Sequence, residues 1–170
     1  GTHEDFYITE RTEVKNFNEG WGQSLPIPSI NTLYNEGAPT LSADGQTIVF
    51  TACELPGYEY GETRTGLGSC DLFYSFRTKS GWTPAENFGP GINSKNWETQ
   101  PSLTADGNTL YFVRGKKGKG GKIENQNIYY SYLMDDGYWS EPSEIPGFVN
   151  TKGREESVFI HPDGQTMYFS

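Results

Sequence analysis

The sequence predicts an all-β fold, a β-propeller of four-stranded antiparallel blades, and three observations carry that expectation. Two residue patterns recur in step along the chain, at a period of about sixty residues. Each recurrence is made of short aromatic and β-branched runs separated by Gly-bearing turns, a composition that suits strands. No window carries the 3.6-residue periodicity of an amphipathic helix.

The first pattern runs from Glu36 through Pro39 and Asp44-Gly45 to Phe50. It returns from Glu98 through Pro101 and Asp106-Gly107 to Phe112, and again from Glu155 through Val158 and Asp163-Gly164 to Phe169. The Glu-to-Asp offset is eight residues in all three copies. In the second pattern the run Asp71–Phe76 answers to Asn127–Tyr132, with Asp5–Ile8 as an earlier copy. Each leads to a tryptophan, Trp21, Trp82 and Trp139, spaced by 61 and 57 residues. An Ile/Val-Asn-Ser/Thr ending follows at Ile30-Asn31-Thr32, Ile92-Asn93-Ser94 and Val149-Asn150-Thr151.

Taken in order, each unit reads as four strands. The first holds Pro-x-Leu-Ser/Thr, and Asp-Gly is expected to close a type I′ turn with φ > 0 at both central residues. The second strand is Thr47–Phe50 or Thr109–Phe112, apolar on both faces as a strand sandwiched between two layers should be. The third is the aromatic run, and a second turn at Ser80-Gly81 or Asp136-Gly137 leads to the fourth strand at the tryptophan. Residues 1–32 are then the last two strands of one blade, 33–94 and 95–151 are full blades, and 152–170 are the first two strands of another. That amounts to about three blade-equivalents, below the usual four to eight, so a segment of a larger propeller is expected. An immunoglobulin-like sandwich would not repeat internally.

At 170 residues the chain is long enough for one well-buried domain. Its net charge of −9 argues against a nucleic-acid partner, and no apolar run approaches the roughly 18 residues of a membrane span. It opens at Gly1-Thr2-His3 with no initiator Met, signal peptide or lipidation motif, as a processed product or fragment would. Cys53 and Cys70 stand at the feet of a long hairpin loop. The expectation is a disulfide, worth about 3 kcal/mol on the loop-entropy account, which would place the chain in an oxidising compartment. Reduced thiols or half a metal site are the alternatives, with only His3 and His161 able to add imidazole.

The run Gly91-Ile92-Asn93-Ser94, Glu98-Thr99-Gln100-Pro101 and Asp106–Phe112 resembles the core of the WD40-like, TolB-related repeat family known as PD40. Gly118–Gly121 before Asn127–Tyr129, and Gly137–Pro142, are similar to it as well. The likeness is strongest to the variety in outer-membrane-associated, OmpA-linked proteins of Bacteroidetes, and it spans nearly the whole chain. It implies a propeller and a non-catalytic protein-binding or scaffolding role in a periplasmic or outer-membrane-associated assembly, some of which are linked to secretion. No cofactor, no metal and no direct membrane insertion are expected of these residues. Val158 in place of Pro, His161-Pro162 in place of Ser/Thr-Ala, and the Cys53–Cys70 loop depart from the pattern.

Several residues are candidates for function. Glu36, Glu98 and Glu155 open the innermost strands, where they could ring a cation or, alternatively, accept backbone N–H bonds and lock adjacent blades. Asp44, Asp106 and Asp163 are similar to the Asp-box of sialidases, but Asp and Gly are adjacent here and a turn role suffices. Trp21, Trp82, Trp139 and Trp97 could be sugar-stacking platforms. The first three hold equivalent repeat positions and are expected to pack between blades, whereas Trp97 in a connection and Tyr58 and Tyr60 in the Cys-bounded loop are candidate exposed contacts. The run Arg114, Lys116, Lys117, Lys119 and Lys122 puts five of 13 basic residues into a Gly-rich stretch, expected to be a mobile, solvated loop. It could capture an acidic protein surface, an anionic glycan or a lipid headgroup, and it is not a phosphate-binding P-loop. The Cys loop, this loop and Trp97 are expected on one face. No nucleophile–base pair or carboxylate pair stands out, so the chain is not expected to be an enzyme. A carbohydrate-binding lectin-like propeller is the alternative, and a glycan hydrolase or its accessory propeller is more distant.

Overall fold

The structure is a computed structural model, and it describes residues 4–11, 20–55, 60 and 63–170. The chain is all-β, with thirteen strands among the described residues and a single 3-10 turn at Lys119–Gly121. Strands β1 (Tyr7–Ile8) and β2 (Leu25–Pro26) pair with each other. A first full meander follows as β3 (Asn35–Leu41), β4 (Thr47–Cys53) and β5 (Cys70–Thr78), with β6 (Gly81–Trp82) and β7 (Glu86–Asn87) both antiparallel to β5. The second meander is β8 (Trp97–Leu103), β9 (Thr109–Lys117), β10 (Ile123–Tyr132) and β11 (Ser143–Glu144). A last pair, β12 (Val158–Ile160) with β13 (Met167–Phe169), closes the described chain. One parallel pairing, Cys70 with Trp97, joins the two meanders into a nine-stranded mixed sheet.

Period-two alternation fills the space between successive layers. On β4, Ile48, Phe50 and Ala52 enter a core shared with Phe6, Ile8, Ile27 and Ile30, while Val49 points the other way. Val49 meets Leu72, Ile92, Leu110 and Phe112 in a second core, and Val113 enters a third with Ile128 and Val158. β4 and the first half of β5 are therefore buried on both faces. Each fully buried Phe or Leu contributes about 2 kcal/mol of apolar transfer. The opening strands of the units lie side by side: Leu103 N–H donates to Thr40 Oγ1 at 3.2 Å, and Ile160 N–H to Ser102 Oγ at 2.9 Å. Ala38 and Gln100 take positive φ, 50° and 51°, at equivalent bulges of β3 and β8.

The Asp-Gly turns differ from the expected type I′ form. Only the glycines have positive φ there (66° at Gly45, 73° at Gly107, 68° at Gly164), and the loop is a longer one built on a Gly45 N–H to Ser42 C=O bond of 2.8 Å. The reason is a side-chain brace. Asp44 Oδ1 accepts from Ser42 Oγ and Gln46 N–H, and Asp106 Oδ1 accepts from Thr104 Oγ1 and Asn108 N–H. Asp163 accepts from the Gln165 and Thr166 amides, which hold its carboxyl down to about 2.

Cys53 and Cys70 face each other on β4 and β5 and form a disulfide across a sequence separation of 17. Reducing that bridge should lower unfolding free energy by about 3 kcal/mol, read from the urea midpoint with and without reductant. An unchanged midpoint would mean that the loop is held by its other contacts alone.

Candidate functional site

The three repeated glutamates are buried, with 1%, 0% and 3% exposure for Glu36, Glu98 and Glu155. Each closes the Ile/Val-Asn-Ser/Thr turn that precedes it. Thr32 donates to Glu36 through its N–H (3.2 Å) and Oγ1 (2.6 Å), Ser94 to Glu98 at 3.1 and 2.6 Å, and Thr151 to Glu155 at 3.0 and 2.7 Å. The asparagine of the same turn bonds back to the third strand of its own unit, the one before the glutamate's. Asn31 takes both the N–H and C=O of Phe6, Asn93 those of Leu72, and Asn150 those of Ile128, at 2.7–3.0 Å. The motif thus clips each layer to the next.

Two of these glutamates also hold an arginine. Arg114 is opposite Glu98 in the β8–β9 register, and its Nε donates to Glu98 Oε1 at 2.7 Å. Its Nη2 bonds the carbonyls of Gly91 and Ile92, both at 3.0 Å, and its guanidinium lies 5.5 Å over Phe112 and 4.9 Å over Tyr129. The residue facing Glu36 in the equivalent register is Ala52. Arg64, from the Cys53–Cys70 segment, supplies the missing group there. It donates to Glu36 Oε1 at 2.8 Å and to the Ile30 carbonyl, and lies 5.5 Å over both Phe50 and Phe73. Burial pushes the Glu98 carboxyl up, against the pull of Ser94 and Arg114, and pushes Arg64 down. Sequence reasoning missed Arg64 because nothing in the repeat marks its position.

Several expected contact residues prove to be structural. Arg114 is not part of an exposed loop but of the buried ion pair, since β9 extends through it. Tyr60 is 3% exposed, packs on Phe73 and donates to the Gly68 carbonyl, so it belongs to the core and is not a surface contact. Trp97 is the first residue of β8, not a connection residue, and is half-buried against the third core. A Cβ on Gly115 would stand 2.4 Å from Ile123 and 3.3 Å from Trp97, which explains a glycine inside that strand. Trp82 and Trp139 pack on the first and second cores, but Trp21 is 59% exposed with Arg11 lying 4.7 Å over its ring. Tyr58 and His3 lie outside the described residues.

The basic run is a paired hairpin and not the expected open loop: β9 and β10 stay paired, across a bulge between Glu124 and Asn127, out to Lys117 opposite Ile123. Lys116, Lys117, Lys119 and Lys122 are all exposed on it. It stands beside the disulfide, since Lys117 Nζ meets Glu54 Oε1 at 2.8 Å and Ser69 N–H donates to the Asn96 carbonyl at 2.9 Å. The Cys segment, the hairpin and Trp97 therefore share one end of the molecule.

At the opposite end, where the Gly107 and Gly137 turns lie, a cleft of about 580 Å³ opens between the two meanders. Tyr74, Phe76, Phe88, Tyr138, Trp139 and Glu141 line it. The sequence signal was Trp139, expected to pack between blades, with Tyr138 beside it given no role. Among the described residues no group of three or more His, Cys, Asp or Glu is placed to hold a metal ion. No protein-family model matches the chain, and no curated protein matches its sequence.

Arg64→Ala should cost about 3–5 kcal/mol in urea unfolding, because it strands the buried Glu36 charge. Adding Ala52→Arg should restore much of that loss, bringing a guanidinium in along the route Arg114 uses. A loss below about 1 kcal/mol, or no recovery, would contradict the equivalence of the two arginines.

Proposed function

We propose that the chain is a segment of β-propeller serving as a non-catalytic protein-binding module of a cell-envelope assembly, through its basic end. Support for the propeller comes from four-stranded meanders stacked face to face with their opening strands side by side, the arrangement of blades about an axis. The sequence likeness to PD40 repeats points the same way, and a disulfide suits the periplasm or cell exterior.

The observation that carries the binding role is the hairpin of Lys116, Lys117, Lys119 and Lys122. It is a braced positive projection on a chain of net charge −9. Such a local reversal of sign steers an acidic partner toward one end and gives it a defined orientation. The pairing that holds the hairpin lowers the ordering cost of binding compared with a free loop. The partner expected is an acidic protein surface.

Replacing the four lysines with glutamate should abolish capture of a protein partner in a cross-linked pull-down from envelope extract, while thermal stability stays within about 0.5 kcal/mol of the parent. Equal capture by parent and variant would remove the basic end as the contact. Capture of nothing by the parent would count against a scaffolding role for these residues.

A further inference from the structure

We infer that the aromatic cleft between the two meanders is a binding site for a small organic cation, an alkylated ammonium group carried on an apolar body. It lies at the end of the molecule opposite the lysine hairpin and does not depend on that hairpin's role.

The cleft has the volume of a ligand site, about 580 Å³, and its lining is mostly apolar. Its rings are turned on one another. Tyr74 and Phe88 have centroids 4.8 Å apart at 61°, Phe88 and Trp139 5.8 Å at 77°, and Tyr74 and Phe76 5.4 Å at 61°. Such a wall offers ring faces as well as edges, and the faces carry the negative lobe of the aromatic quadrupole. Phe76 and Tyr138 remain 49% and 72% exposed, so these two rings are not used up in packing.

Charge selects the guest. Glu141 is the one charged residue on the lining, and no Lys, Arg or His joins it. Behind the wall, the Tyr74 hydroxyl donates to Glu86 Oε2 at 2.9 Å, which adds a second carboxylate nearby. An anion is therefore repelled. A sugar would need an array of directed polar partners that this apolar lining does not provide. A cation with an apolar skin matches both the rings and the carboxylate.

The same chain already binds cations in this way. Arg114 sits over Phe112 and Tyr129 against Glu98, and Arg64 over Phe50 and Phe73 against Glu36. Two rings and one glutamate make each of those internal cages. The cleft assembles the same components in the open.

The test is titration of the intact chain with choline and with its neutral carbon isostere 3,3-dimethylbutan-1-ol, following the Trp139 indole resonance by NMR. Choline should bind at least tenfold more tightly than the isostere, and methyl glucoside should not shift the resonance. Glu141→Gln and Tyr138→Ala, both at exposed positions, should each weaken choline severalfold without loosening the fold, whereas Lys116→Glu should leave it unchanged. Equal binding of choline and its isostere would overturn the inference, leaving only an apolar crevice. So would a preference for the glucoside, or no shift with choline on the order of 10 mM.

Discussion

A carboxylate buried near the first strand of a unit needs partners, and at Glu36 and Glu98 that requirement organises the joints between layers. Glu155, by contrast, is held by Thr151 through Oε1 alone, and its Oε2 has no partner among the described residues. Glu36 and Glu98 each accept two bonds from the preceding Ser/Thr and an ion pair from an arginine. The Asn one position earlier in the same turn replaces a strand peptide for the previous unit. A four-residue spacing thus couples the end of one meander to the beginning of the next. The apolar cores supply the bulk of the driving force, but they are non-directional. The Asn and Glu bonds fix how far one layer is offset from its neighbour.

That division of labour leaves the molecule with two differently dressed ends. At one end the β9–β10 hairpin, the disulfide and the Cys70–Trp97 pairing hold lysines away from an acidic body. At the other, short turns braced by Asp44 and Asp106 leave room for an aromatic cleft between complete units. His161 is exposed, sits in a turn and contacts Asp163 at 3.1 Å, so it is taken up by local structure.

Much of this was legible in the sequence because each repeated residue performs a local task at fixed spacing. The Glu, Asp-Gly, Trp and Ile/Val-Asn-Ser/Thr patterns marked the strands and turns, and the two cysteines marked the hairpin they bridge. What sequence could not give was long-range supply. Arg64 reaches Glu36 from a segment that has no counterpart in the next unit, replacing the group that Ala52 cannot offer. Arg114 was misread because it adjoins four lysines, although its register opposite Glu98 draws it inward. Tyr60 was misread because a loop position says nothing about which core lies beneath it. The cleft depends on rings from two units, Tyr74 and Phe88 from one and Trp139 from the next, which meet only on folding.

The central claim, that a buried Glu–Arg pair braces the turn joining one layer to the next, is most directly tested by a double-mutant cycle on Glu98 and Arg114. The forms to compare by chemical denaturation are the parent, Glu98→Gln, Arg114→Met and the double variant. The account predicts a coupling energy of about 2 kcal/mol or more, with the double variant less damaged than the sum of the singles. A coupling below about 0.5 kcal/mol would contradict it, and would leave the joining of the layers to apolar packing and to the Asn and Ser/Thr bonds of the turn.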